Sequence, residues 1–221
     1  MTSRKGLPVD KIRELEAKAK EIGLSESLLI ENASSNLFEI IQKLNLGTKA
    51  MVVAGRGNNG ADVLSCARKL LSRGFEVKVI VLSEKPPGQE ALRQKNILEK
   101  LGILIYDLKV GAIHELPLLL EESDFILEGI FGIGIKGEVS FFHKEVIAAI
   151  NESGKKIVSC DIPSGLSPDE GLVLGQAVEA DYTITFLAAK KGFYLNQGPE
   201  YCGKIFVVDI GVSRQMLEEP V

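Results

Sequence analysis

The chain is 221 residues long, 45% hydrophobic and 25% charged, close to the averages of soluble globular proteins and long enough to bury an ordinary core without disulfide or metal staples. Its formal net charge of -4 argues against non-specific nucleic-acid binding, which draws on clustered Lys and Arg, and no stretch approaches the roughly 18 continuous apolar residues of a membrane span. Cys66, Cys160 and Cys202 are far apart and odd in number, so they read as reduced, mostly buried thiols rather than as a disulfide framework or a zinc site.

The opening MTSRKGLPVDKIRELEAKAKE has no apolar leader region, and a cytoplasmic location is the expectation. VDKIRELEAKAKEIG (9–23) places Ile12, Leu15, Ala19 and Ile22 at helical spacing and stops at Gly23. A second helix is expected from Ser25, its N-cap, to about Lys43. From Lys49 onward, short apolar runs alternate with amphipathic segments: KAMVVAG, then 61–74, FEVKVIVL, 88–101, ILIYDL, 112–121, DFILEGIFG, 142–153, KKIVSCDIPSG, ADYTITFLA and KIFVVDIG. Strands apolar on both faces and spaced by helices indicate parallel βαβ units. The expected architecture is a Rossmann-like three-layer α/β/α sandwich with a mostly parallel sheet, built as one domain over 1–221 from a helical pair (9–45) and an α/β core (49–212). KKGFYLNQGPEYCG (190–203), between the last two strands, has no helical pattern and is expected to form a loop with an edge hairpin.

In open α/β sheets ligands bind beyond the carboxyl ends of the strands, so the residues after each apolar run are the ones to question. GRGNNGAD (55–62) reads as G-x-G-x-x-G at a helix start, where glycines let backbone N–H groups approach an anion; a ligand-free tight turn has the same pattern. A dinucleotide dehydrogenase would place an acid at the end of the second strand, but the first one here, Glu84, lies beyond Val81-Leu82-Ser83. EGIFGIGIKGE (128–138) runs from strand into glycine-rich loop, where Lys136 could meet a phosphate or simply be solvated. CDIPSG (160–165) sets Asp161 directly after an apolar strand, suited to acid–base work, to binding a ribose hydroxyl, or to capping the next turn. His114 and His143 read as surface or packing residues, and neither a Ser–His–Asp order nor metal-ligand spacing is present.

With GRGNNGAD, FGIGIKGE and DIPSG together, the sequence resembles the NAD(P)H-hydrate epimerase family, also known as the YjeF N-terminal domain. ENAS (31–34), FLAAKKG (186–192) and VVDIGV (207–212) add to the likeness, which runs in the family's order from about residue 9 to 212. The resemblance implies an isomerase of nicotinamide nucleotide repair that interconverts the R and S epimers of hydrated NADH and NADPH. It implies substrate contacts from Asn58, Asn59, Gly60, Ala61 and Asp62, and from Gly132, Ile133, Gly134, Ile135, Lys136, Gly137 and Glu138 around the phosphates. Asp161 is implied as the substrate-touching catalytic residue, and Asn59, Glu128 and Ser164 as the ligands of one K+ per subunit. An amide carbonyl is a hard oxygen ligand, which gives the asparagines a purpose that a dehydrogenase loop lacks. Two positions depart from the family pattern: Ala61 replaces a glycine, and Glu128 replaces an Asp. The implied partners are a homodimer mate and a separate ADP- or ATP-dependent NAD(P)H-hydrate dehydratase, with neither nucleic acid nor membrane. The alternatives from other classes are a non-catalytic nucleotide-binding or scaffold module of the same fold and an ordinary NAD(P) oxidoreductase.

Overall fold

A computed structural model describes residues 6–111 and 113–212. Helices α1 (Val9–Glu21) and α2 (Glu26–Leu44) come first. Ile12, Leu15 and Ala19 are buried along one stripe of α1, with charged residues on the other side. Gly23 takes φ +99, a left-handed conformation that ends helices, and the Ser25 hydroxyl then caps α2 by accepting the Leu28 N–H at 3.4 Å.

The core follows as β1 (Lys49–Ala54), α3 (Asn58–Ser72), β2 (Glu76–Leu82), α4 (Gln89–Lys100), β3 (Leu104–Leu108), α5 (Leu116–Glu121), β4 (Phe125–Gly129) and α6 (Phe141–Glu152). It closes with β5 (Lys156–Cys160), β6 (Tyr182–Phe186), α7 (Gly198–Tyr201) and β7 (Lys204–Val208). The seven strands form one sheet in the order β3-β2-β1-β4-β5-β6-β7, and every pairing is parallel. β1 shows why its residues are apolar after the exposed Lys49: Ala50, Val52 and Ala54 face the layer of α1 to α4, and Met51 and Val53 face α5 and α6. The three cysteines are all buried and unbridged.

The expected helix at 112–121 starts at a residue outside the described range, and the segment runs as a 3-10 turn, Ile113–Glu115, into α5. The expected edge hairpin at 190–203 is replaced. β7 pairs with β6 in parallel, Tyr182 opposite Lys204, so the connection crosses back over the sheet instead of reversing beside it. Its path is set by burial, because Phe193 and Cys202 enter a small third core with Ile162, Leu166 and Ala177.

Candidate active site

The strand order reverses between β1 and β4, and at such a point the loops leaving the two strands part and open a crevice. The β1 to α3 turn is drawn tightly into it. A Cβ on Gly55 would strike the carbonyl of Ile130, and one on Gly60 the carbonyl of Gly55, so only glycine lets α3 start this close to the strand ends. Gly57 is the N-cap, and among the described residues no side chain caps the first N–H groups of α3. Ala61 needs no glycine: it lies inside α3, its N–H bonds the Gly57 carbonyl at 3.1 Å, and its methyl is wholly buried in the core.

Asn59 stands at the centre of this turn. Its amide NH2 donates to the carbonyls of Phe131 (2.8 Å) and Cys160 (2.9 Å), tying α3 to the ends of β4 and β5, while its Oδ1 is buried without a partner among the described residues. Glu128 is fully buried beside it. Its Oε1 accepts from the Ser159 hydroxyl (2.5 Å) and the Ser164 N–H (3.1 Å), and its Oε2 from the Ser164 hydroxyl (2.5 Å) and the Ile130 N–H (3.2 Å). Burial pushes this carboxyl up, and the four donors pull against that. The Ser164 hydroxyl also accepts the Phe131 N–H at 2.8 Å.

Asp161 follows β5 with φ +63, a left-handed conformation that costs an aspartate little compared with a bulkier residue. Its Oδ1 collects the buried ammonium of Lys190, the Thr185 hydroxyl (3.2 Å) and the Phe186 N–H (3.2 Å). No described group donates to Oδ2. Lys190 is 1% exposed and also donates to the Thr185 hydroxyl at 2.7 Å and the Phe186 carbonyl at 3.2 Å. Two further carboxyls face this ion pair. Burial, then the charges of Asp161, Glu16 and Glu26, push Asp62 well up, and burial followed by Asp161 raises half-buried Glu16 on α1.

The N-terminal segment walls the group in. Leu7 exchanges backbone hydrogen bonds with Ala189 and Lys191, Arg13 donates to the Ile133 carbonyl at 3.4 Å, and Asn58 donates to Glu26 at 2.5 Å. Opposite lies the loop after β4. Gly132 touches Asn59 through the space a Cβ would narrow, and Ile133 and Ile135 are half-buried. Gly134, Lys136, Gly137 and Glu138 are exposed, with Gly137 at φ +68 and Glu138 turned to the Lys144 ammonium. Asn58 to Asp62, Gly132, Glu128, Asp161 and Ser164 are therefore brought together, while the loop tip reaches into solvent.

Residues 26–192 match the family described as YjeF-related protein N-terminus. The chain belongs to that family. It is 33% identical to the NAD(P)H-hydrate epimerase of Elusimicrobium minutum over 95% of the chain and 96% of that protein. With the NAD(P)H-hydrate epimerase of Limosilactobacillus fermentum it shares 35% identity over 86% of the chain and 88% of the relative. The bifunctional NAD(P)H-hydrate repair enzyme Nnr of Thermofilum pendens is 35% identical over 96% of the chain, which spans only 41% of that longer relative. The fold superposes on the crystal structure of yeast ynu0, YNL200c, with a TM-score of 0.76 at 19% identity, covering 92% of the chain and 87% of the yeast protein.

In this YjeF-related domain the residues that sequence reasoning missed are Lys190, Thr185 and Glu16. Lys190 was within reach: FLAAKKG stands after β6 as DIPSG stands after β5, and the rule that selects residues past a strand end applies equally to both. Glu16 carried no such signal, since it lies on a helix ahead of the sheet and its part in the site depends on how α1 packs. His143 packs its ring 4.7 Å from that of Phe131, whereas His114 is exposed. No helix among the described residues is long and apolar enough to cross a membrane.

Proposed function

We propose that the chain is an NAD(P)H-hydrate epimerase that interconverts the R and S epimers of hydrated NADH and NADPH. The observation that carries this reading is the buried Asp161–Lys190 pair, with Oδ2 of Asp161 uncommitted, at the strand ends next to an open helix N-terminus. The names of relatives that match nearly end to end support it. The pyrophosphate would lie across the N-terminus of α3, within Asn58 to Asp62 and Gly132 to Glu138, and the hydrated ring would face Asp161.

In this reading the proton that Lys190 and Asp161 share sits on Oδ2 of Asp161 in the reactive tautomer, with Lys190 neutral, and Asp161 passes it to the hydroxyl on the hydrated carbon. The lone pair of the ring nitrogen expels water and leaves an iminium. Water then adds to the other face and gives its proton back to Asp161, so protons and electrons balance over the cycle. The carboxylate left on Asp161 by the first proton transfer faces the cationic ring, while Asp62 and Glu16 are both pushed toward their neutral forms.

A potassium ion suits the orphaned Oδ1 of Asn59, a hard oxygen with no donor among the described residues, together with the remaining lone pair of Ser164. When bound, the ion would supply fixed positive charge beside the phosphates. Glu128, with its four acceptor positions taken by protein donors, would contribute charge from behind Ser164 rather than a bond to the ion. We further assign to the chain a homodimeric state and an ADP- or ATP-dependent dehydratase as the consumer of one epimer.

The test is to incubate one separated epimer of hydrated NADPH with the protein and follow the other by chromatography, beside the spontaneous rate. Acceleration that disappears in Asp161→Ala is the expected result. Bound ligand with no acceleration would overturn the enzyme in favour of a binding module.

A further inference from the structure

A second hollow, of about 210 Å³, opens on the other side of the switch point, between the ends of β2 and β4 and the start of α6. It is too small for a whole dinucleotide and of a size for one fragment of it. Leu82, Ile130 and Phe131 give it an apolar floor, and the His143 ring lies against Phe131. Arg56 and Lys85 stand at its rim, both exposed, and neither has a carboxylate partner among the described residues. The one acid there, Glu84, accepts from the Ser140 hydroxyl at 3.1 Å and sits 3.5 Å from Nδ1 of His143. Burial depresses the His143 imidazole, so the rim carries two positive charges against one negative.

The arrangement that satisfies the Glu84 carboxylate gives it the single Ser140 hydroxyl hydrogen; His143 then donates to Ser140 through Nδ1, at 2.8 Å, and Nε2 is its acceptor. The site thus combines a flat apolar surface, one free acceptor and two unpaired cations. That chemistry fits a purine with an exocyclic amine and a nearby phosphate monoester.

Its placement points the same way. Arg56 leads into the helix start that would hold the pyrophosphate, and its carbonyl accepts the Gly88 N–H at 2.8 Å, which fastens the 83–88 loop to the glycine turn. Asp161 and Lys190 lie past β5 and β6, on the far side of β4; the hollow lies on the β2 side. A dinucleotide whose pyrophosphate spans the N-terminus of α3 sends its two nucleosides in opposite directions. Resting on the function proposed above, we infer that this hollow binds the adenosine end of the substrate and that Arg56 and Lys85 hold its 2′-phosphate. The chain then discriminates hydrated NADPH from hydrated NADH at a point remote from the reacting ring.

Two measurements test this. By calorimetry, adenosine 2′-monophosphate binds about tenfold more tightly than adenosine 5′-monophosphate at low salt, the difference shrinking as ionic strength rises and vanishing in Arg56→Ala/Lys85→Ala. In turnover, the ratio of kcat/KM for hydrated NADPH to that for hydrated NADH falls about tenfold in the double variant, with the change in KM. Both side chains are exposed, so circular dichroism should show the variant folded. Equal affinity for the two monophosphates, or an unchanged substrate ratio in a folded variant, overturns the assignment. The calorimetric arm stands even if the protein turns over neither substrate, which separates failure of the subsite from failure of the epimerase reading.

Discussion

Lys190 and Asp161 reach each other from the ends of adjacent strands, β6 and β5, and form an ion pair in which the lysine is 1% exposed. A buried ammonium is tolerated only when it is paired and hydrogen-bonded, and here Asp161, Thr185 and the Phe186 carbonyl do both. Structure and proposed chemistry therefore rest on the same contact.

Lys190→Met should cost about 3 kcal/mol, since it leaves a carboxylate largely buried and without its counter-charge. Urea denaturation measures this. Epimerisation should fall at least about a hundredfold, the scale of a lost acid–base group, and Asp161→Asn should lose activity and a comparable amount of stability, since it leaves the buried ammonium without its counter-charge. A Lys190→Met protein of full activity would remove Lys190 from the mechanism.

Glu31 on α2 joins that helix to α3 through Arg68 (2.5 Å) and Lys69 (2.6 Å). Burial raises its carboxyl, but the bonds from Lys69 and then Arg68 outweigh burial and bring it down to about 2. A folded pKa below the unfolded one stabilises fully above about 4.5, and that stability is lost as pH falls from there toward about 2. The side chain is 40% exposed, so solvent screening holds the contribution to about 1 kcal/mol. Wild type should lose that much relative to Glu31→Gln between pH 5 and pH 2 in thermal melts; parallel curves would show the contact to be worth nothing.

The alternating apolar runs made the parallel sheet and its helices legible, because strands covered on both faces must be apolar on both, as β1 is from Ala50 to Ala54. The fate of 190–203 was not legible. Its course depends on Phe193 and Cys202 meeting Ile162 and Leu166, contacts between distant segments that leave no local period. The same division holds at the site. Asn59, Asp161 and Ser164 announced themselves by strand-end position, whereas the four donors on Glu128 come from β5 and the loops that follow β4 and β5, and appear only on folding.

Gly60 and Ala61 are neighbours in α3 with opposite requirements. Gly60→Ala drives a methyl into the Gly55 carbonyl and should destabilise by about 2 kcal/mol or more. Ala61→Gly restores the family's residue, yet it should destabilise by about 1 kcal/mol, because a helical position loses a buried methyl. Stabilisation by Ala61→Gly in chemical denaturation would mean that the turn is strained in a way this geometry does not contain.

The potassium proposal can be read without activity. An ion that binds only the folded state raises its stability by mass action, about 2.7 kcal/mol at a hundred times its dissociation constant. If Oδ1 of Asn59 is a ligand, the melting temperature should be higher in potassium chloride than in choline chloride of equal ionic strength, with sodium in between. Asn59→Ser shortens the side chain and withdraws that oxygen, so the potassium-dependent increment should vanish, apart from any overall loss from the bonds to Phe131 and Cys160. Glu128→Gln keeps the shape but removes the charge, and with Glu128 behind Ser164 the increment should shrink and persist. Loss of the whole increment in Glu128→Gln, with Asn59→Ser unaffected, would move the ion to the carboxylate and leave the orphaned oxygen of Asn59 to the substrate.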